Sequence, residues 1–243
     1  MTQWDKRARG LIAAAWLLIG SAAMAQGSTA GWEPMNQSAG REAVNTWSRP
    51  VEGMTVKAFR GVTEVPHNAL SVLAVLSDTR ALPAWVFQME SAQVPEGQPA
   101  DRVYARFKGI WPASARDVLF RTSVSQGKDG VILVESRQVE GMPPQEGYVR
   151  MPYLNNAFRL TPLDGGWTRV EFETAIDLGG MVPGWLANAV STRAPLVTLQ
   201  KLHQQIKKPA YQIKSPAELP GHYGRGLIVL PERHLKAQTA AAR

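Results

Sequence analysis

The sequence predicts an α+β fold in which a long, curved antiparallel β-sheet grips one C-terminal α-helix, and three observations predict it. Between Trp85 and Asp177 successive runs alternate apolar and polar residues and are parted by turn residues, the pattern of antiparallel strands with two unlike faces. From Trp185 to Lys208 the apolar residues Leu186, Ala189, Val190, Leu196, Leu199, Leu202 and Ile206 recur at helical spacing. The 243 residues include no cysteine, so neither disulfides nor thiolate sites are possible and the core must hold by burial alone.

The first 25 residues read as a secretory signal. Lys6, Arg7 and Arg9 precede an apolar run from Leu11 to Ala22, and Ala23-Met24-Ala25 is an A-x-A cleavage site. The run is well short of the roughly 20 residues that cross a bilayer, which favours cleavage over anchoring. Cleavage makes Gln26 the first mature residue and leaves 24 basic against 19 acidic residues, a net +5 in place of +7. That excess suits contact with an anionic lipid surface better than it suits nucleic acid, and the expected home is the periplasm or the extracellular medium.

Residues 26–40, rich in Gly, Ser and Ala, read as a flexible leader, with order beginning near Arg41. A short helix is expected over Glu42 to Ser48, then strands over Met54 to Arg60 and Val62 to Val65. His67-Asn68 opens a helix over Ala69 to Leu76 that Ser77-Asp78 closes. In the strand region Val118, Phe120, Thr122 and Val124 alternate with Leu119, Arg121 and Ser123, and Val149, Met151 and Tyr153 flank Arg150. Thr168, Val170, Phe172, Thr174 and Ile176 alternate most regularly, against Arg169, Glu171 and Glu173 on a wet face. At about 1.5 Å per residue the helix from Trp185 to Lys208 is roughly 36 Å long, enough to cross the sheet and cover its other face, with a kink expected at Pro195. The tail 209–243, with four prolines and a basic end, reads as irregular.

Five stretches, taken in order, resemble the StAR-related lipid-transfer (START) family. They are Leu82-Pro83-Ala84-Trp85-Val86; Arg116-Asp117-Val118-Leu119 after Trp111-Pro112; Met142 to Met151; Leu160-Thr161-Pro162 with Gly165-Gly166; and Asp177 to Asn188. The resemblance covers about Thr46 to Lys208 and implies a helix-grip fold with an internal hydrophobic tunnel for one lipid, within a domain spanning 41–208. It also implies a loop over Gln138 to Gly147, tipped by Met142-Pro143-Pro144, that opens against the C-terminal helix. On that pattern the cavity or gate candidates are Phe120, Thr122, Met142, Pro143, Met151, Tyr153, Phe158, Phe172, Trp185, Leu196 and Leu199. Some family members place an arginine five residues beyond the aspartate of the Arg-Asp pair, where this chain has Thr122. The cavity is therefore expected to lack a buried charge and to suit an apolar or weakly polar lipid.

The expected function is a soluble carrier or sensor of one hydrophobic molecule, a sterol, phospholipid or similar lipid, acting as a monomer with transient contact at a membrane surface. No cofactor, metal or nucleic acid is expected. Arg116-Asp117 and Asp177 read as turn-forming residues, with Asp117 capping backbone N–H groups. A polyketide cyclase or aromatase on a related grip is the alternative, but the inward polar residues Thr122, Ser136, Tyr153, Thr168 and Thr174 are poor acids and bases at neutral pH. A third reading has the basic tail presented to an anionic partner. Gly221 to Gly226 lacks dinucleotide spacing, His67, His203, His222 and His234 are scattered without H-E-x-x-H, and no G-x-S-x-G elbow occurs.

Overall fold

The structure is a computed structural model that describes residues 31–54, 56–219 and 226–235. The signal segment, the first part of the leader, the Gly221-to-Arg225 part of the glycine cluster and the last eight residues lie outside the described residues.

The strands run β1 (Glu33–Asn36), β2 (Asn45–Arg49), β3 (Ala58–Val65), β4 (Met89–Gln93), β5 (Arg102–Phe107), β6 (Ala115–Gln126), β7 (Ile132–Gln138), β8 (Tyr148–Arg150), β9 (Tyr153–Leu163) and β10 (Trp167–Asp177). The helices are α1 (Ala69–Ser77), α2 (Leu82–Trp85) and α3 (Gly184–Gln205). One sheet holds every strand, in the order β1-β2-β3-β10-β9-β7-β6-β5-β4, with β8 beside β6. Apart from β8, which is parallel to β6, all neighbours are antiparallel. The first and last hairpin groups meet where β10 pairs with β3, so chain ends close the sheet's middle.

β10 buries Thr168, Val170, Phe172 and Thr174 and turns the intervening residues outward, as its alternation predicts. α1 starts at Asn68, whose side chain accepts from the Ser71 N–H at 2.9 Å, and Asp78 follows its last residue. α3 lies against β3, where Gly61 makes the approach possible: a Cβ there would sit 2.7 Å from the Leu199 side chain and 3.4 Å from Pro195. The helix continues through Pro195, which it buries against that glycine.

Three local expectations are corrected, and the tail gains a role. Glu42 to Ser48 is not a helix: Asn45–Arg49 forms β2, and its alternation is hidden because the inward residues, Thr46 and Ser48, are polar. Order begins before Arg41, since β1 pairs with β2 inside the segment read as leader. Met54, Val56 and Lys57 lie outside the strand, and Gly61 is the middle of one continuous β3 and does not divide two strands. The tail is irregular in secondary structure, with short 3-10 turns at Pro209–Tyr211, Pro216–Glu218 and Glu232–His234, yet it buries Tyr211, Ile213, Leu219 and Ile228 in the same core as α1 and α3.

Candidate functional site

The concave side of the sheet does not meet α3 along its whole length. Between them, closed at the side by α2 and the segment after it, lies a cavity of about 180 Å3. Phe172, Phe158 and Val134 supply one row of its wall, side by side on β10, β9 and β7. The Phe158 and Phe172 rings stack at 4.4 Å, and Trp85 meets Phe158 edge-on at 6.3 Å. α3 presents Leu186, Val190, Ala194 and Thr198, a stripe at four-residue intervals.

The cavity's outer end is formed by two loops. Residues 108–114 contribute Lys108, Ile110, Ala113 and Ser114, and residues 178–183 contribute Leu178 and Val182. Both loops carry large apolar side chains on the surface: Trp111 is 88% exposed and Met181 97%, and Trp185 beside them on α3 is 64% exposed. Arg116 joins the two loops. Its guanidinium donates to the Ser114 carbonyl on one and to the Leu178 and Gly179 carbonyls on the other, both at 3.4 Å. It is buried with no carboxylate partner among the described residues, and burial pulls its pKa down. The expectation of no buried charge at the cavity is thus corrected: the charge sits at residue 116, not at position 122. The register inference itself stands, because Thr122 lines the cavity while Arg121 points outward to Asp101 at 2.5 Å.

Asp117 is not a turn cap. Its fully buried carboxylate accepts from Tyr104 Oη at 2.8 Å and from Arg150 Nε and Nη2 at 2.9 and 3.0 Å. Burial opposes its ionisation, but those charge-assisted bonds win and the carboxyl is held below its ordinary value. Asp177 does take the turn role: it accepts from the Gly179 N–H at 2.9 Å, and Gly179 is at φ +64°, where a Cβ would sit 2.7 Å from the Arg150 carbonyl oxygen. Glu171, expected on a wet face, is only 14% exposed because Arg60 and Arg169 bracket it.

Of the residues the sequence singled out, Phe120, Thr122, Met151, Phe158 and Phe172 line the cavity. Met142, Pro143, Tyr153, Trp185, Leu196 and Leu199 do not. Met142 and Pro143 are tied through their carbonyls to the Arg150 guanidinium, each at 3.0 Å, and the loop from 138 to 147 contributes nothing to the wall. Tyr153 faces outward because Pro152 separates β8 from β9 and restarts the alternation, so Leu154 and Asn156 point in. Trp185 is on the surface, and Leu196 and Leu199 face the main core on the adjoining stripe of α3. The sequence reading left Asn156 unnamed, took Arg116 for a turn residue, and gave Leu186 and Val190 only as the apolar face of the helix. Counting back by two from Phe158 finds Asn156; nothing in the local sequence marks Arg116 as a bridge between loops.

Among the described residues the lining includes no carboxylate, imidazole, thiol or phenol, and Lys108 and Arg116 are its charged members. No group of three His, Cys, Asp or Glu residues could hold a metal ion, and no helix is long and apolar enough to cross a membrane, again among the described residues. What the arrangement offers is apolar enclosure with a few neutral hydrogen-bonding groups.

Known proteins share this architecture. A STAR-related lipid transfer protein from Xanthomonas axonopodis is 27% identical, with 73% of this chain and 99% of that one covered at a TM-score of 0.65. Human STARD10 superposes at a TM-score of 0.66 with 18% identity, covering 87% of this chain and 89% of that one, a likeness of fold. An uncharacterized protein of Pseudomonas aeruginosa is 27% identical over 169 residues, 69% of this chain and 84% of that protein. The START domain itself matches residues 17–206, most of the chain including the sheet, the cavity wall and α3, and the protein belongs to the START domain family.

Proposed function

We propose that the protein binds one hydrophobic lipid molecule in the cavity between sheet and α3, as a monomeric carrier or sensor that performs no chemistry on it. The observation that carries this reading is the cavity wall: mostly apolar on sheet and helix, interrupted by a few neutral polar side chains, with its two charged groups in or beside the outer loops. Such a site binds by removing lipid surface from water, at about 25 cal/mol per Å2 of apolar area.

A volume of about 180 Å3 is below the roughly 300–1,000 Å3 typical of sites that enclose a whole ligand. Ligand entry therefore requires the loops 108–114 and 178–183 to part, and Arg116 is the group that holds them together. Replacing Arg116 with Ala is expected to raise both association and dissociation rates of a bound lipid about tenfold, the worth of one or two net hydrogen bonds, with a smaller change in affinity. Stopped-flow exchange of a fluorescent lipid measures this; unchanged rates would remove Arg116 from the gate.

Trp111, Met181 and Trp185 crowd this same end, and apolar and aromatic side chains so placed suit the membrane interface. We place the transient membrane contact there. In a vesicle-to-vesicle transfer assay the full chain is expected to accelerate lipid movement, and changing these three residues to Ser is expected to slow it about tenfold, three partially inserted side chains being lost. Binding without acceleration assigns the sensor role; neither binding nor acceleration with any lipid class overturns the proposal.

Export with cleavage after Ala25 is part of the same proposal, supported by the basic, apolar and A-x-A segments in succession. Cell fractionation with intact mass measurement tests it: a periplasmic chain starting at Gln26 supports it, and a full-length cytoplasmic chain contradicts it.

A further inference from the structure

The cavity is not uniformly apolar, and its polar atoms are not scattered. In the sheet register Thr122 on β6 faces Ser136 on β7, Ser136 faces Asn156 on β9, and Asn156 faces Thr174 on β10. All these residues line the cavity, so they form one transverse polar row across adjacent strands. The apolar row Phe172, Phe158 and Val134 lies directly on one side of it, and Ile176 and Leu154 lie on the other. Placement on strand centres fixes these groups more firmly than loops would.

Their hydrogen bonds leave a defined remainder. The Thr122 and Ser136 hydroxyls bond each other at 2.9 Å. The hydroxyl of Thr174, itself 8% exposed, donates to Asn156 Oδ1 at 2.6 Å. That bond orients the carboxamide and leaves its Nδ2 hydrogens on the cavity wall without a protein acceptor among the described residues. Trp85, on the same wall and in edge contact with Phe158, likewise has a buried indole N–H with no acceptor. Polar groups enclosed without partners cost free energy, and an acceptor brought by a ligand removes that cost.

We propose that this row is a polar subsite that selects an uncharged lipid carrying a carbonyl or hydroxyl oxygen, held by Asn156 Nδ2. The inference rests on the lipid-binding reading above and deepens it. An anionic group is disfavoured here because no cation belongs to the row, and the donors of Arg116 that face the loops are committed to backbone carbonyls. A pure hydrocarbon is disfavoured because it leaves the Asn156 amide desolvated and unpaired.

The test uses the full chain, a solvatochromic hydrophobic dye as reporter, and four competitors of equal chain length: hexadecane, hexadecanol, methyl palmitate and palmitate. The alcohol and the ester are expected to displace the dye about tenfold more strongly than the alkane, one net hydrogen bond's worth, and more strongly than the anion. Asn156→Leu is expected to erase the preference over hexadecane, and the near-isosteric Thr122→Val to reduce it about threefold. Thr122→Val keeps the test valid if the first variant does not fold. Equal binding of alkane and alcohol, or a preference retained in both variants, overturns the subsite alone. Palmitate binding best overturns it in favour of an anion site at Arg116. Failure of the dye and every competitor to bind overturns the lipid-binding reading together with the subsite.

Discussion

Cutting the chain after Lys208 is expected to yield a polypeptide that does not fold, although the family match ends at residue 206. The tail fills the main core with Tyr211, Ile213, Leu219 and Ile228, all at most 6% exposed. At about 1.5–3 kcal/mol for each large apolar side chain, their removal costs about 6–12 kcal/mol, against a total stability of about 5–15 kcal/mol for a typical domain. The polar stitching is equally specific. Tyr211 Oη donates to Asp78 Oδ2 at 2.9 Å and accepts from Gln205 Nε2 at 3.0 Å, and Asn68 Nδ2 donates to the Ile213 carbonyl at 3.0 Å. Farther on, Gln126 exchanges two hydrogen bonds with the Val229 backbone, at 2.8 and 3.0 Å. The tail thus ties down both ends of α1 and the far end of β6. Circular dichroism and limited proteolysis of the truncated chain check this. A cooperative melt within a few degrees of the full chain's would show that the tail is peripheral.

Replacing Asp117 with Ala is expected to destabilise the protein by about 3 kcal/mol, the lower end of the range for breaking a buried ion pair, because Arg150 is partly exposed and keeps the Met142 and Pro143 carbonyls. For a domain of this length that corresponds to a fall in Tm of about 6–12 °C. The Tyr104 hydroxyl, buried against Asp117, loses its acceptor in the same step. Asp117 also gives the stability a direction with pH. Its folded-state pKa is below its unfolded value, so its contribution is complete above the unfolded pKa, near 4, and is lost as pH falls through the lower folded value. Asp117→Asn is therefore expected to melt lower than the wild type at pH 7 and to lose less stability on acidification below about pH 4. Parallel acid limbs for the two proteins would mean that Asp117 titrates alike folded and unfolded.

How much of this was legible in the sequence depends on whether burial and hydrophobicity coincide. β10 was legible because every inward residue from Val170 to Ile176 except Thr174 is apolar, and α1 because Asn68 caps a segment that is apolar from Ala69 to Leu76 but for Ser71. β2 was not, since the residues it buries are Thr46 and Ser48 and the outward Trp47 is its largest. The tail's buried residues have no period to detect, because 3-10 turns and extended segments space them unevenly.

The site divides in the same way. The phenylalanines at 120, 158 and 172 follow from strand alternation plus size, and their placement on the wall is what alternation implies. Ser136, read as inward, lines the wall, whereas Asn156 obeys the same alternation but its polarity argues for the opposite face. On α3 the bulky Leu196 and Leu199 attract attention while the cavity is met by a stripe that includes Ala194 and Thr198, because α3 serves two neighbours with two adjoining faces. Arg116 and the Leu178 and Gly179 carbonyls lie more than 60 residues apart, a juxtaposition made only by the folded sheet.

The most direct test of an enclosed lipid site is native mass spectrometry of the protein recovered from cells without detergent, followed by denaturing extraction of whatever remains bound. A discrete added mass at one molecule per chain, identified in the extract as an uncharged oxygen-bearing lipid and lost when Thr122→Trp fills the cavity, is the predicted result. A mass equal to the bare polypeptide, unchanged after incubation with a broad lipid panel, would contradict it.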